Sequence, residues 1–236
     1  MDMACGDGTY TSLLAARVGD SGSVVACDIN PAYLDLAREA VDRAGQSARV
    51  DFLRGSIEHL PVEPDRFDAA WCAQSLFSLP EPVSALAALR CVVRPGGWVA
   101  VLENDTLHQV VLPWPVEVEL AVRAAELAEL ADKTQEPRKY YAARRMGAIF
   151  HEAGLEPSDV RTDSHDRQAP LDPDARAFLA LYIADLRERV SPRLSPRDRG
   201  DFERLADPYS SAYLLDEPYL TYTVLDHLAL GRVPAA

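Results

Sequence analysis

Two glycines, Gly6 and Gly8, stand between a short apolar start and a helical pattern, and twenty residues past Gly8 a second apolar run ends on an acid, Asp28. Glycines there let the backbone approach a ligand closely, and the helix start behind them adds inward-pointing N–H groups. An acid at the end of the following strand can accept hydrogen bonds from two ribose hydroxyls. Strand, turn, helix and strand in that order build a crossover unit with parallel strands. Taken alone, these features suit any dinucleotide- or adenosyl-binding fold.

The alternation continues through the first half of the chain. Residues 1–4 read as the tail of a first strand, and residues 9–18 as a helix with Tyr10, Leu13, Leu14 and Val18 on one face. Residues 23–27 read as a second strand. The next helix is capped by Asn30, opened by Pro31 and ended by Gly45, with Tyr33, Leu36, Ala37, Ala40, Val41 and Ala44 as its apolar face. Residues 50–53, 67–72 and 98–103 read as three further strands, with a helix over 82–93 stopped by Pro95, Gly96 and Gly97. Helices over 115–132 and 140–153 and a sixth strand over 158–163 follow. Asp172 with Pro173, and Ser195 with Asp198, open two more helices. A closing strand over 219–230 alternates Leu220, Tyr222 and Val224 with Thr221 and Thr223.

The formal net charge is -13, which argues against a nucleic-acid acceptor because an acidic surface repels phosphate backbones. Cys5, Cys27, Cys72 and Cys91 form no CxxC pair, and three of them lie in or near apolar runs. This suits buried free thiols in a reducing compartment. No apolar stretch reaches the length of about 18 residues that a membrane span needs. The start lacks the basic and apolar regions of a signal peptide, so a cytoplasmic location is expected.

Five segments then narrow the reading. They are Asp2-Met3-Ala4-Cys5-Gly6-Asp7-Gly8, Val25-Ala26-Cys27-Asp28, Gly55-Ser56-Ile57-Glu58-His59-Leu60-Pro61, Phe67-Asp68-Ala69-Ala70-Trp71 and Val93-Arg94-Pro95-Gly96-Gly97. In this order they resemble the motifs of the class I S-adenosylmethionine (SAM) dependent methyltransferase family, over residues 1–105. The resemblance implies one Rossmann-like α/β domain over residues 1–236. Its sheet would be doubly wound, mostly parallel and seven-stranded, with an antiparallel last strand. It implies SAM as cofactor, and methyl transfer to oxygen, nitrogen or carbon of a small molecule. The cofactor would be held by Asp2, Ala4, Gly6, Gly8, Asp28, Ile29, Ser56, Ile57 and Gln74. Two positions depart from the family pattern. Ala4 stands where glycine is usual, a change expected to be tolerated at negative φ. Ser56 stands where an aspartate often receives the adenine amino group.

Two helical insertions, 104–139 and 168–217, are expected to cover the acceptor pocket as a lid, because ligands of open α/β sheets bind outside the carboxyl ends of the strands. His108 is the first choice for a base, since imidazole suits proton transfer near neutral pH. Trp114, Tyr140, Tyr141 and Arg144 are candidate acceptor contacts. Glu103, Asn104 and Asp105 resemble ligands of cation-dependent relatives. The segment after the fourth strand, Cys72-Ala73-Gln74-Ser75, offers no second carboxylate, so no metal is expected.

Competing readings are a nicotinamide oxidoreductase, disfavoured by Thr11 where a third glycine would stand, and a non-catalytic or impaired SAM-binding protein. Only Met1, Asp2 and Met3 precede Ala4. A start codon placed too late, or a truncation, would explain so short a first strand. A version extended upstream is expected to bind SAM more tightly, because the short strand leaves its neighbours with unpaired backbone groups.

Overall fold

A computed structural model describes residues 1–133 and 141–235. They fall into two compact units. The first comprises the described residues of Met1–Asp105, Arg138–Thr162 and Asp226–Ala236, and the second those of Thr106–Pro137 and Asp163–Leu225.

In the first unit the strands are β1 (Asp2–Met3), β2 (Val24–Asp28), β3 (Val50–Arg54), β4 (Phe67–Ala73) and β5 (Val93–Glu103). They pair in parallel in the order β3-β2-β1-β4-β5. The long closing strand β8 (Thr221–Arg232) adds to β5 antiparallel, Glu103 facing His227 and Trp98 facing Arg232. Helices α1 (Thr9–Arg17), α2 (Pro31–Arg43), α3 (Pro82–Val92) and α5 (Met146–Glu152) connect the strands. β5 opens at Val93, where the spacing had extended the helix. The register with β4 slips between Phe67 and Ala69, so residues 94–97 form an irregularity inside the strand rather than a turn ahead of it.

Two helix faces differ from their sequence reading. On α1 the buried residues are Thr11 and Ala15, while Leu13 and Val18 are exposed. Thr11 Oγ1 donates to Asp2 Oδ2 at 2.5 Å, so a buried polar pair takes the place that the apolar pattern assigned to leucine. On α2, Leu34, Ala37 and Val41 are buried, and Tyr33 and Leu36 are half exposed. The cap is as read: Asn30 Oδ1 accepts the Ala32 N–H. α5 buries Met146, Ile149 and Phe150 as the spacing requires. It is shorter than expected, because a 3-10 turn over Ala143–Arg145 precedes it.

The second unit has its own apolar core. Helix α4 (Val116–Lys133) contributes Val118, Val122 and Ala125; α6 (Pro173–Val190) contributes Leu179, Ile183 and Leu186; α7 (Pro196–Ala206) contributes Phe202. Asp172 Oδ1 and Ser195 Oγ cap α6 and α7 by accepting the N–H of Ala175 and Asp198. A two-residue strand, β6 (Val110–Val111), pairs with Val224 and Thr223 of β8. With β7 (Glu156–Gln168), which pairs β8, the sheet has eight strands among the described residues, the two-residue β6 being the addition to the expected seven. β6 is too short to register as a period-2 pattern, which is why the sequence did not reveal it. No helix among the described residues is long and apolar enough to cross a membrane.

β1 is central but only two residues long. The Met1 ammonium donates to Ala69 O, and Met1 O accepts the Trp71 N–H, both at 2.8 Å. Beyond Met1 the edges of β2 and β4 enclose a cavity of about 490 Å³, lined by Val24, Val25, Phe67, Ala69 and Ala70.

Candidate functional site

The carboxyl ends of β1, β2, β3 and β4 converge where the chain order of the sheet reverses, between β1 and β4. In open α/β sheets this is where ligands bind. A cleft of about 240 Å³ lies there, lined by Ala4, Asp28, Ile29, Ser56, Ile57 and Ser75, among others.

Asp28 gives the cleft a carboxylate acceptor. It ends β2 and is 6% exposed. Its Oδ2 accepts the Gly6 N–H at 3.0 Å and its Oδ1 accepts the Asn30 N–H at 2.9 Å. The two bonds fix the carboxylate in place, and each oxygen keeps a lone pair. Gly6 has φ 54, and a Cβ built on it would meet nothing within 4 Å, so the loop beside Asp28 stays open to a ligand. Gly8, with φ 83, differs: a Cβ there would lie 2.7 Å from Ala37 Cα, so this glycine lets α1 pack against α2. Asp7 Oδ1 accepts the N–H and hydroxyl of Thr9 at the start of α1.

The residues fit an adenosyl group. A ribose diol donates two hydrogen bonds, and the Asp28 carboxylate only accepts. Ile29, 62% exposed, and buried Ile57 supply apolar surface on the same cleft. Ser56 Oγ already accepts the Glu58 N–H at 3.3 Å.

Of the cofactor residues read from the sequence, the cleft brings together Ala4, Asp28, Ile29, Ser56 and Ile57, and Gly6 joins them through Asp28. Gly8 serves helix packing. Gln74 is exposed at φ 50 beside the cleft residue Ser75. Asp2 is 1% exposed and bonded to Thr11 rather than turned to the cleft. The tolerance expected at Ala4 rested on a negative φ, and the observed φ is 56. Alanine is therefore held in the left-handed region, where glycine is free of the Cβ penalty.

The acceptor candidates are more scattered. His108 is exposed and belongs to the second unit. Trp114 packs in that unit's core, its ring centroid 5.6 Å from that of Phe202. Tyr140 lies outside the described residues. In the first unit Arg144 pairs through two nitrogens with buried Asp105 and lies 4.8 Å over the Tyr141 ring. Among the described residues no group of three or more His, Cys, Asp or Glu side chains is placed to hold a metal ion.

Glu103 is the residue whose place in the site the sequence reading missed. Read as a metal-ligand type, it is instead 0% exposed, and its Oε1 accepts the N–H groups of Ser75 and Leu76 at 2.7 and 2.6 Å. The signal was present in the alternation Val99, Val101, Glu103, which puts the acid on the buried face of β5. Burial raises its carboxyl to about 7, against the lowering effect of those backbone donors. Burial also raises Asp2 to about 6. Both groups hold a proton more tightly folded than unfolded. Their contribution is therefore full at pH values below the ordinary 3.8 and 4.5, and is lost as pH rises through about 6 and 7. The buried Met1 ammonium, lowered from 8.0 to about 6, acts in the opposite sense at higher pH. Urea unfolding at pH 5 and pH 7.5 is expected to show wild type losing on the order of 2 kcal/mol more than Glu103→Gln over that interval. Parallel pH profiles refute it.

A doubly wound sheet with an acid-ended second strand and an open glycine loop at its switch point defines a Rossmann-like adenosyl-binding fold. Residues 1–97 match the family model of a methyltransferase domain. Over that stretch the chain is similar to the class I SAM-dependent methyltransferases, whose cofactor is SAM. It is 35% identical over 103 residues to the ubiquinone/menaquinone biosynthesis C-methyltransferase UbiE of Erwinia tasmaniensis, covering 44% of this chain and 41% of that protein. It is 33% identical over 103 residues to the 2-phytyl-1,4-naphtoquinone methyltransferase of Synechococcus elongatus, covering 44% of each. The matched stretch thus spans less than half of either relative. Among solved structures, a Bacillus halodurans protein crystallised as a candidate methyltransferase aligns with TM-score 0.60 at 16% identity, over 99% of this chain and 91% of that one. The [4+2]-cyclase SpnF aligns with TM-score 0.54 at 20% identity, over 100% and 74%. These two show the shared fold, which by itself does not assign a reaction.

Proposed function

We propose that this chain transfers the methyl group of SAM to a small-molecule nucleophile, and that a ring carbon of a quinol-type aromatic is the first acceptor class to test. The observation that carries the reading is Asp28, held by two backbone N–H groups with lone pairs left for a diol, on a cleft walled by Ile29 and Ile57. The acceptor class is suggested by the quinone methyltransferases to which residues in the first half are similar. Bound SAM supplies a methyl on a positively charged sulfur, ready for direct displacement. The chain's task is then to orient the cofactor through its ribose and to exclude water. Where the acceptor is a hydroxyl or an acidic carbon the reaction also needs a base, and His108 is the candidate to test.

The test is product analysis with methyl-labelled SAM and a panel of demethylated quinols, phenols and amines, alongside calorimetry with SAM and NAD. Label in a small-molecule product and SAM binding without NAD binding support the reading. SAM binding with no transfer to any panel member points to a non-catalytic SAM-binding protein, and NAD binding in place of SAM overturns the assignment. A His108→Ala variant with near-normal turnover removes histidine from the scheme.

A further inference from the structure

The loop that leaves β4 forms one wall of the cleft through Ser75, Ser78 and Leu79. Most of its polar side chains tie it only to itself. Ser75 Oγ donates to Ala73 O, and Ser78 Oγ donates to Ser75 O. It is joined to β5 by the Gln74 N–H, which donates to Leu102 O at 2.7 Å, and by the Glu103 carboxylate, which receives two consecutive N–H groups, those of Ser75 and Leu76. Glu103 does this while fully buried, and its Oε2 has no hydrogen-bond partner among the described residues. Burying a carboxylate with one oxygen idle is a costly way to fill a core position. An apolar side chain at this place in the Val99, Val101 alternation would pack without that cost, but it would leave both N–H groups without an acceptor.

We propose that Glu103 is a positioning residue for the cofactor. Its carboxylate holds the Ser75–Leu76 backbone at the height where Ser75, Ser78 and Leu79 close the cleft, and SAM affinity depends on that anchor rather than on the general stability of the sheet. The inference rests on the reading that this cleft holds SAM.

Calorimetric SAM affinity and thermal unfolding of the full chain, measured on wild type, Glu103→Gln, Glu103→Leu, Glu103→Asp and Val99→Ala, test it. Glutamine keeps one acceptor oxygen for both N–H groups and is expected to bind within about threefold of wild type, whereas leucine removes the acceptor and is expected to weaken binding about tenfold or more. Aspartate, one methylene shorter, withdraws the acceptor while keeping the charge, and is expected to fall between. It also keeps the test decisive if the leucine variant does not fold. Val99→Ala removes core volume from β5 without touching the loop, and is expected to lower the melting temperature while leaving affinity unchanged. Wild-type affinity in the leucine or aspartate variant overturns the proposal. An equal loss of affinity in Val99→Ala and Glu103→Leu does so as well, by reducing Glu103 to a general structural role. If wild type itself fails to bind SAM, it is the reading of the cleft that has failed, before Glu103 enters.

Discussion

Replacing Asp28 with alanine is expected to weaken SAM binding at least a hundredfold, about 3 kcal/mol, because two hydrogen bonds from neutral donors to a charged acceptor disappear together. The loss is compounded locally. Without the carboxylate the Gly6 and Asn30 N–H groups lose their acceptor, so the glycine loop and the entry to α2 are no longer tied to the end of β2. Asp28→Asn discriminates between the two contributions. Its remaining carbonyl oxygen can serve one of the N–H groups, but its amide must point a donor at the other. It is expected to keep most of the melting temperature while losing much of the affinity. Calorimetry with thermal unfolding on the same samples separates them. Unchanged affinity in the alanine variant would move the cofactor out of this cleft.

The second large effect is expected at Gly8. Alanine there must adopt φ 83 and place its Cβ 2.7 Å from Ala37 Cα and 2.9 Å from Ala37 Cβ. The neighbour is helix backbone, so it cannot rotate away. The left-handed conformation and the overpacking together are expected to cost roughly 2–5 kcal/mol, lowering the melting temperature by roughly 10 °C. Gly6→Ala is the contrast. It meets nothing within 4 Å, so its stability cost is that of φ 54 alone. Its N–H bonds Asp28 Oδ2, so strain there disturbs the acid that receives the diol, and affinity is expected to fall more than stability. Similar melting temperatures for the two variants would show that the α1–α2 contact tolerates separation.

Much of the first unit was legible in the chain itself. Alternating apolar runs and helical spacing placed β2, β3, β4, α2 and α3 to within a few residues. Asp28 could be singled out because an acid that ends a buried strand has no packing reason to be there. Where the reading slipped, a polar contact had replaced an apolar one, or an element was too short to show a period. Thr11 is buried because Asp2 accepts its hydroxyl, and nothing in the spacing of Leu13 and Val18 announces that bond. β6 is two residues long. β7 was read over 158–163, but it runs from Glu156 to Gln168 with mostly exposed side chains, so no alternation marked its full length.

The order of strands, the acid at the end of β2 and the glycine loop ahead of α1 were determined by the sequence, because each is a local pattern of residue types along one stretch of chain. The tertiary structure alone decided the rest. It separated two neighbouring glycines into different roles, one with open space around it and its N–H on Asp28, and one pressed against α2, although residue type makes them identical. It placed Ala4 in a backbone conformation at odds with its side chain. It also turned Glu103 from a ligand-type carboxylate into a buried clamp on the loop after β4, since the two N–H groups that it serves lie 28 and 27 residues away in the chain and meet it only once β4 and β5 pair.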